Sequence, residues 1–120
     1  MSFPTVFNIE TVRGAYYTKS FIWQIDGQAM SWDGYHPVGQ IRGIPAGRLI
    51  VDLTQDCITI EDQEAAETKG RFVLVLTGDE TDKLPLVAAW DLFAVDDNDA
   101  TKTYPLLEGK VLCEQAVTDV

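Results

Sequence analysis

Leu84-Pro85-Leu86-Val87-Ala88-Ala89-Trp90-Asp91-Leu92-Phe93-Ala94-Val95 is apolar but for Asp91, and Asp96-Asp97-Asn98-Asp99 closes it. The run is too short to cross a bilayer as a helix and has the length of a strand covered on both faces. Strand side chains alternate between faces. Ala88, Trp90, Leu92 and Ala94 therefore share one side, and Val87, Ala89, Asp91 and Phe93 share the other. The set with the indole is assigned to the core, since Asp91 belongs on the opposite side.

Other stretches repeat this pattern. Residues 3–12 read as a first strand with Phe3, Val6, Phe7, Ile9 and Val12, and Arg13-Gly14 as a turn. Residues 15–25 are rich in the aromatic and β-branched types that favour strands. Their alternation puts Tyr17, Phe21, Trp23 and Ile25 on one side, and Asp26-Gly27 ends them in a turn. An irregular connection over 30–35 leads to a strand at about 35–42, with Val38 and Ile41 as inward candidates and Pro37 suggesting an edge or the start of the strand. Gly43-Ile44-Pro45-Ala46-Gly47 is a loop, 48–53 and 57–60 are short strands, and Glu61–Lys69 is a loop with at most a helical turn. Residues 70–76 are apolar on both faces and read as a central strand. Thr77-Gly78-Asp79-Glu80 matches a capping box, which places one short helical turn near 78–84 before Pro85 stops it. A last strand runs from about 102 to 115. Many short strands with turns between them predict an all-β antiparallel sandwich, a single domain over 1–120.

A chain of 120 residues, 46% hydrophobic, can bury a core without staples. Its net charge of −10 opposes binding to a phosphate backbone, so nucleic acid is not expected as a partner, and because no segment approaches membrane-spanning length a membrane is not expected either. No signal peptide is expected at Met1-Ser2-Phe3-Pro4-Thr5. Cys57 and Cys113 have no metal-type spacing and are expected to be free buried thiols, with a disulfide as the lesser alternative.

Chemistry is hard to place. His36 is the only histidine, and nothing beside it supplies a partner for general-base work. Zinc needs several His or Cys ligands that the chain does not offer. Asp96–Asp99 departs from the calcium-loop pattern, because Ala100 stands where a ligand is needed and no glycine follows; a solvated turn is expected. Gly43–Gly47 lacks the Lys-Ser/Thr of a phosphate loop, and no nucleophile elbow occurs. No enzymatic role, cofactor or metal is expected. Trp32 and Tyr35, around Asp33-Gly34, are the candidate contact residues for a partner protein or a glycan if their rings are exposed; alternatively Trp32 plugs one end of the sandwich.

The order of Arg13-Gly14, Asp33-Gly34-Tyr35, Gln40-Ile41-Arg42, the strand 71–76, Leu84-Pro85, Trp90-Asp91-Leu92, Leu106-Leu107-Glu108-Gly109-Lys110-Val111 and Val117-Thr118 resembles the amino-terminal domain of phage baseplate upper proteins and similar small phage tail modules. Departures are Trp90 where that pattern has Tyr, His36-Pro37 after Tyr35, and the acidic run at 96–99 without its turn glycine. The resemblance implies an immunoglobulin-like antiparallel β-sandwich and a non-enzymatic virion structural protein, made in the host cytoplasm. It would be an adaptor or attachment module of the tail, baseplate or tail fibre, contacting other virion proteins in a multi-copy symmetric assembly. Because the sequence stops at Val120, no receptor-binding or fibre region of its own is expected. Alternatives are a capsid decoration or cement protein and a carbohydrate-binding module built on Trp32 and Tyr35.

Overall fold

The computed structural model describes residues 4–44, 47–54 and 56–116. Phe3, Pro45-Ala46 of the predicted loop, and Val117-Thr118 lie outside the described residues. The strands are β1 (Thr5–Val6), β2 (Ile9–Val12), β3 (Tyr17–Ile22), β4 (Gln24–Ile25), β5 (Gln28–Ala29), β6 (Tyr35–Gly43), β7 (Leu49–Leu53), β8 (Ile58–Ile60), β9 (Arg71–Leu76), β10 (Val87–Asp96) and β11 (Thr103–Glu114); the helical turn is α1 (Gly78–Thr81).

β10 is the axis of the larger sheet. It pairs antiparallel with β11 on one side and β6 on the other, and β7 extends the sheet beyond β6. β1 and then β2 lie parallel to β11 on its far side. The second sheet runs β3-β9-β8, and β4-β5 is a separate hairpin between β3 and β6. Labelled in chain order as A (β1 with β2), B (β3), C (β6), C′ (β7), D (β8), E (β9), F (β10) and G (β11), the strands split into C′CFG and BED. This is the partition of an immunoglobulin-like sandwich, here with strand A placed on the sheet of strand G. The predicted fold class is therefore the observed one.

The alternation of β10 holds. Ala88, Trp90, Leu92 and Ala94 are buried together with Ile41, Phe72, Leu74, Leu76 and Val111. Coverage of both faces does not hold, because Val87 and Asp91 are exposed and Ala89 and Phe93 only half-buried. Among the described residues no helix or sheet packs on the outer side of this sheet, unlike a parallel sheet flanked by helices. Val38 also departs from expectation. Period two makes Ile41, Gly39 and Pro37 one face of β6, so Val38 must point outward, and it is exposed. Pro37 sits near the start of β6, before the residues that pair with β7 begin at Gly39, so its missing N–H leaves no ladder bond unmade there. β9 is central in its sheet, as its two apolar faces predict.

The two free cysteines, Cys57 just before β8 and Cys113 on β11, are both buried as members of the core cluster. Aromatic rings join the sheets instead. Phe21 of β3 lies 5.5 Å from Phe72, 5.1 Å from Phe7 and 6.5 Å from Trp90 between ring centroids. Each such ring removes more apolar surface from water than an aliphatic side chain would, so the cluster binds the sheets without a covalent bridge.

α1 closes one end of the sandwich and forms the predicted capping box. The Thr77 side chain accepts from Glu80 N, and Glu80 Oε1 accepts from Thr77 N at 2.8 Å. Thr81 Oγ1 donates to Ala15 O at 2.8 Å, which ties the turn to the segment before β3. The Cys57 thiol donates to Glu80 Oε2 at 2.9 Å. Burial first, then the Glu80 carboxylate, pushes this thiol up to about 12, so it stays protonated and unreactive at neutral pH. For Glu80, burial raises the pKa, but the bonds from Cys57 and Thr77 and the nearby Lys83 outweigh it and leave the carboxyl below its usual range. A depressed carboxylate stabilises the fold above its unfolded pKa of about 4.3, and that contribution disappears as pH falls through the folded value. Glu80→Gln is expected to be less stable than the parent at pH 7 and to converge with it below that window. Urea unfolding at several pH values checks this; a constant gap between the two proteins would contradict it.

Candidate interaction surface

The uncovered face of the larger sheet is organised in rows across its strands. Directly opposite residues have Cβ atoms about 5 Å apart, so the register decides which side chains meet. One row runs Asp52, Gln40, Asp91, Glu108 across β7, β6, β10 and β11. The adjacent row runs Arg42, Ala89, Lys110. Val38 opposite Phe93 flanks them on one side, and Val87 opposite Leu112 on the other. The middle of this surface is a shallow open depression whose lining includes Val6, Asn8, Arg42, Asp91 and Lys110.

The acidic row carries a local conflict. Asp91 and Glu108 are cross-strand neighbours of like charge, an arrangement that weakens a sheet. Burial raises the pKa of Asp91, Arg42 pulls it back, and Glu108 raises it again; the net shift is upward. A raised carboxyl favours the fold at low pH, and that gain is lost as pH rises through its folded value. Glu108→Lys replaces repulsion with attraction, and is expected to stabilise the isolated protein at pH 7 by about 0.2–1 kcal/mol. Urea denaturation reads it, and a lowered midpoint would mean that the pair is not in conflict.

The residues singled out in the sequence fare differently. Trp32 is only 3% exposed: its ring lies 5.1 Å from Trp23 and 5.3 Å from Phe72, and its Nε1 donates to Gly70 O at 3.2 Å. It plugs the sandwich, and the reading of Trp32 with Tyr35 as an exposed stacking pair is corrected. The hydrophobic contact of the indole with two core rings outweighs the polar character of its neighbours in sequence. Tyr35 is half-buried against Trp23 and Tyr104. His36 Nδ1 meets Asp97 Oδ1 at 2.6 Å on the exposed surface. The acidic turn satisfies its own backbone: Asp96 Oδ1 accepts from Asn98 N, and Asp99 Oδ1 accepts from the N and Oγ1 of Thr101. Such bonds are what Asp and Asn supply in turns. The charged rows were not anticipated. Their trace in the sequence is a shared spacing, Gln40-x-Arg42, Ala89-x-Asp91 and Glu108-x-Lys110, on three strands whose pairing the sequence does not display.

The fold and this surface define an immunoglobulin-like β-sandwich with one large sheet face left open by the described residues. No family model matches the chain, and no curated protein matches it in sequence. Among solved structures, one that is similar comes from a study described as "Structure-based site-directed photo-crosslinking analyses of multimeric cell-adhesive interactions of VGSC beta subunits". It has a TM-score of 0.49 and 10% identity, over 98% of each chain.

Proposed function

We propose that the chain is a non-enzymatic structural protein of a bacteriophage particle, an adaptor or attachment module of the tail, baseplate or tail fibre, docking through the open face of its larger sheet. The observation that carries the docking role is the like-charge pair Asp91–Glu108 at the middle of that face. A local rule broken without benefit to the isolated fold is the mark of a contact surface, where a partner cation relieves the repulsion. The apolar rows Val38–Phe93 and Val87–Leu112 flank the charges and supply area that a partner can cover. The ordered motifs from Arg13-Gly14 to Leu106–Val111 support the phage assignment.

Gold-antibody labelling of purified particles tests the assignment. Label at the tail tip or fibres is expected. Label spread over the capsid would make the chain a decoration protein, and no label with a validated, accessible epitope would remove it from the particle. Within particles, Glu108→Lys separates docking from folding: it is expected to fold at least as well as the parent yet be incorporated poorly.

A further inference from the structure

The first strand has an unusual place. Both of its segments, β1 and β2, pair with β11, and among the described residues no strand pairs with the outer edge of β3. That edge has a definite hydrogen-bonding frame. Trp23 N donates to Gly70 O across the β9 side, and Val75 N donates to Cys57 O on the opposite side of β9. With Phe21 opposite Phe72, alternation then turns the backbone groups of Tyr17, Lys19 and Phe21 toward β9. The N–H and C=O groups of Thr18, Ser20 and Ile22 point outward, and all three residues are exposed.

We infer that a second copy of this chain adds to this edge, β3 against β3 in antiparallel register about Ser20, joining two three-stranded sheets into one. The outward groups fit that register: Ser20 faces Ser20 and Thr18 faces Ile22, so the hydrogen-bonded positions of both strands coincide and up to about six backbone bonds form. Charge selects the same edge. The molecule carries a net charge of −10, yet no carboxylate occurs from residue 14 to residue 25, while Arg13 and Lys19 lie in or beside that span. The other edges carry or adjoin carboxylates along their own strands, Glu10 on β2, Asp52 on β7, and Asp56 and Glu61 on either side of β8; of these Glu10 also lies near β3, at its Tyr17 end and away from Ser20. Two acidic molecules therefore meet with least repulsion along β3. Lys19, an inward-facing charge of the kind that guards an edge, has its ammonium 5.6 Å from the Phe7 ring centroid. In this register it lies opposite Phe21 of the second copy, an aromatic neighbour, and not opposite the other lysine.

The contact rests on the proposed role in a particle, as one joint of the multi-copy assembly that the family resemblance implies. Its absence in solution and absence of the chain from particles are separate results, read by separate experiments. Sedimentation velocity over a concentration series is expected to show dimers. Ser20→Cys is expected to form a disulfide dimer under mild oxidation at least about tenfold faster than Thr18→Cys, because residues facing each other across the two-fold lie within disulfide reach and residue 18 does not face itself. A mixture of Thr18→Cys with Ile22→Cys should cross-link as the register dictates. Ser20→Pro removes an outward N–H that β9 does not use, and is expected to weaken dimerisation at least about tenfold with an unchanged circular dichroism spectrum. Should proline disturb the strand, Ser20→Lys sets two ammonium groups face to face and is expected to weaken dimerisation alike. Monomers at every concentration, with Ser20→Cys no faster than Thr18→Cys, would overturn the inference. So would dimers unaffected by Ser20→Lys.

Discussion

Gly109→Ala is expected to cost about 2–4 kcal/mol of unfolding free energy, a large effect for one methyl group. The reason is proximity. A Cβ at residue 109 would lie 2.8 Å from the carbonyl carbon of Phe7, closer still to its oxygen, and 2.9 Å from Asn8 Oδ1. Neither neighbour is free to withdraw. Phe7 O accepts from Trp90 Nε1 at 2.8 Å, Phe7 N donates to Glu108 O at 2.8 Å, and Asn8 Oδ1 accepts from Lys110 N at 3.0 Å. The crossing between β1 and β2 thus lies directly on Gly109, and a side chain there levers the first strand away from β11. Gly27→Ala is the control. Its φ of +80° makes alanine strained, but a Cβ there meets nothing within 4 Å, so only the conformational cost of about 1–2 kcal/mol remains. Urea unfolding of both variants decides the matter, and a smaller loss at Gly109 than at Gly27 would contradict the packing account.

Trp32→Ala is expected to cost about 3–5 kcal/mol, in the range for emptying a large aromatic site in a core. The ring's neighbours are themselves held by further rings, Trp23 by Tyr35 and Tyr104 and Phe72 by Phe21, so they cannot readily collapse into the space. Trp32→Phe keeps much of that contact but removes the donor to Gly70 O, which still accepts from Trp23 N, so its cost is expected to be well below that of alanine. Thermal and urea unfolding check the ranking. Trp32→Ala also addresses the glycan alternative: stability within about 0.5 kcal/mol of the parent, a shift ordinary for exposed sites, would return Trp32 to the candidate contact residues.

Much of this fold is legible in sequence, for reasons specific to each element. The β10 face containing Trp90 follows from alternation, because four apolar residues at spacing two have only one way to share a core. The capping box at Thr77–Glu80 is written in residue types that bond reciprocally over three positions. Asp26-Gly27 is visible as a turn because both positions take positive φ, which few residue types tolerate. Other features depend on partners distant in the chain. Residues 3–12 look like one strand, yet Phe7 and Asn8 separate β1 from β2 where the chain crosses Gly109. Ser31, Asp33 and Gly34 make Trp32 look like part of an exposed loop, and only Phe72, forty residues on, shows where its ring goes. The hairpin pairing Gln24 with Ala29 and Ile25 with Gln28 is too short for a hydrophobic period to announce it. The charged rows belong to the register between β6, β10 and β11, and that register emerges only when the sheet assembles.

The parallel pairing of the first strand with the last has a mechanical meaning. Thr5 lies beside Leu107 and Val12 beside Glu114, so the two strands enter at one end of the sheet and leave at the other. Tension applied at Thr5 and Glu114 would pull them in opposite senses along a seam of roughly 20 Å. Load in that direction falls on the seam's bonds together, as shear, whereas a hairpin pulled from its open end parts one bond at a time. Rupture would demand that Phe7 and Trp90 separate in the same event. A sandwich laced in this way is suited to sit in line with a force.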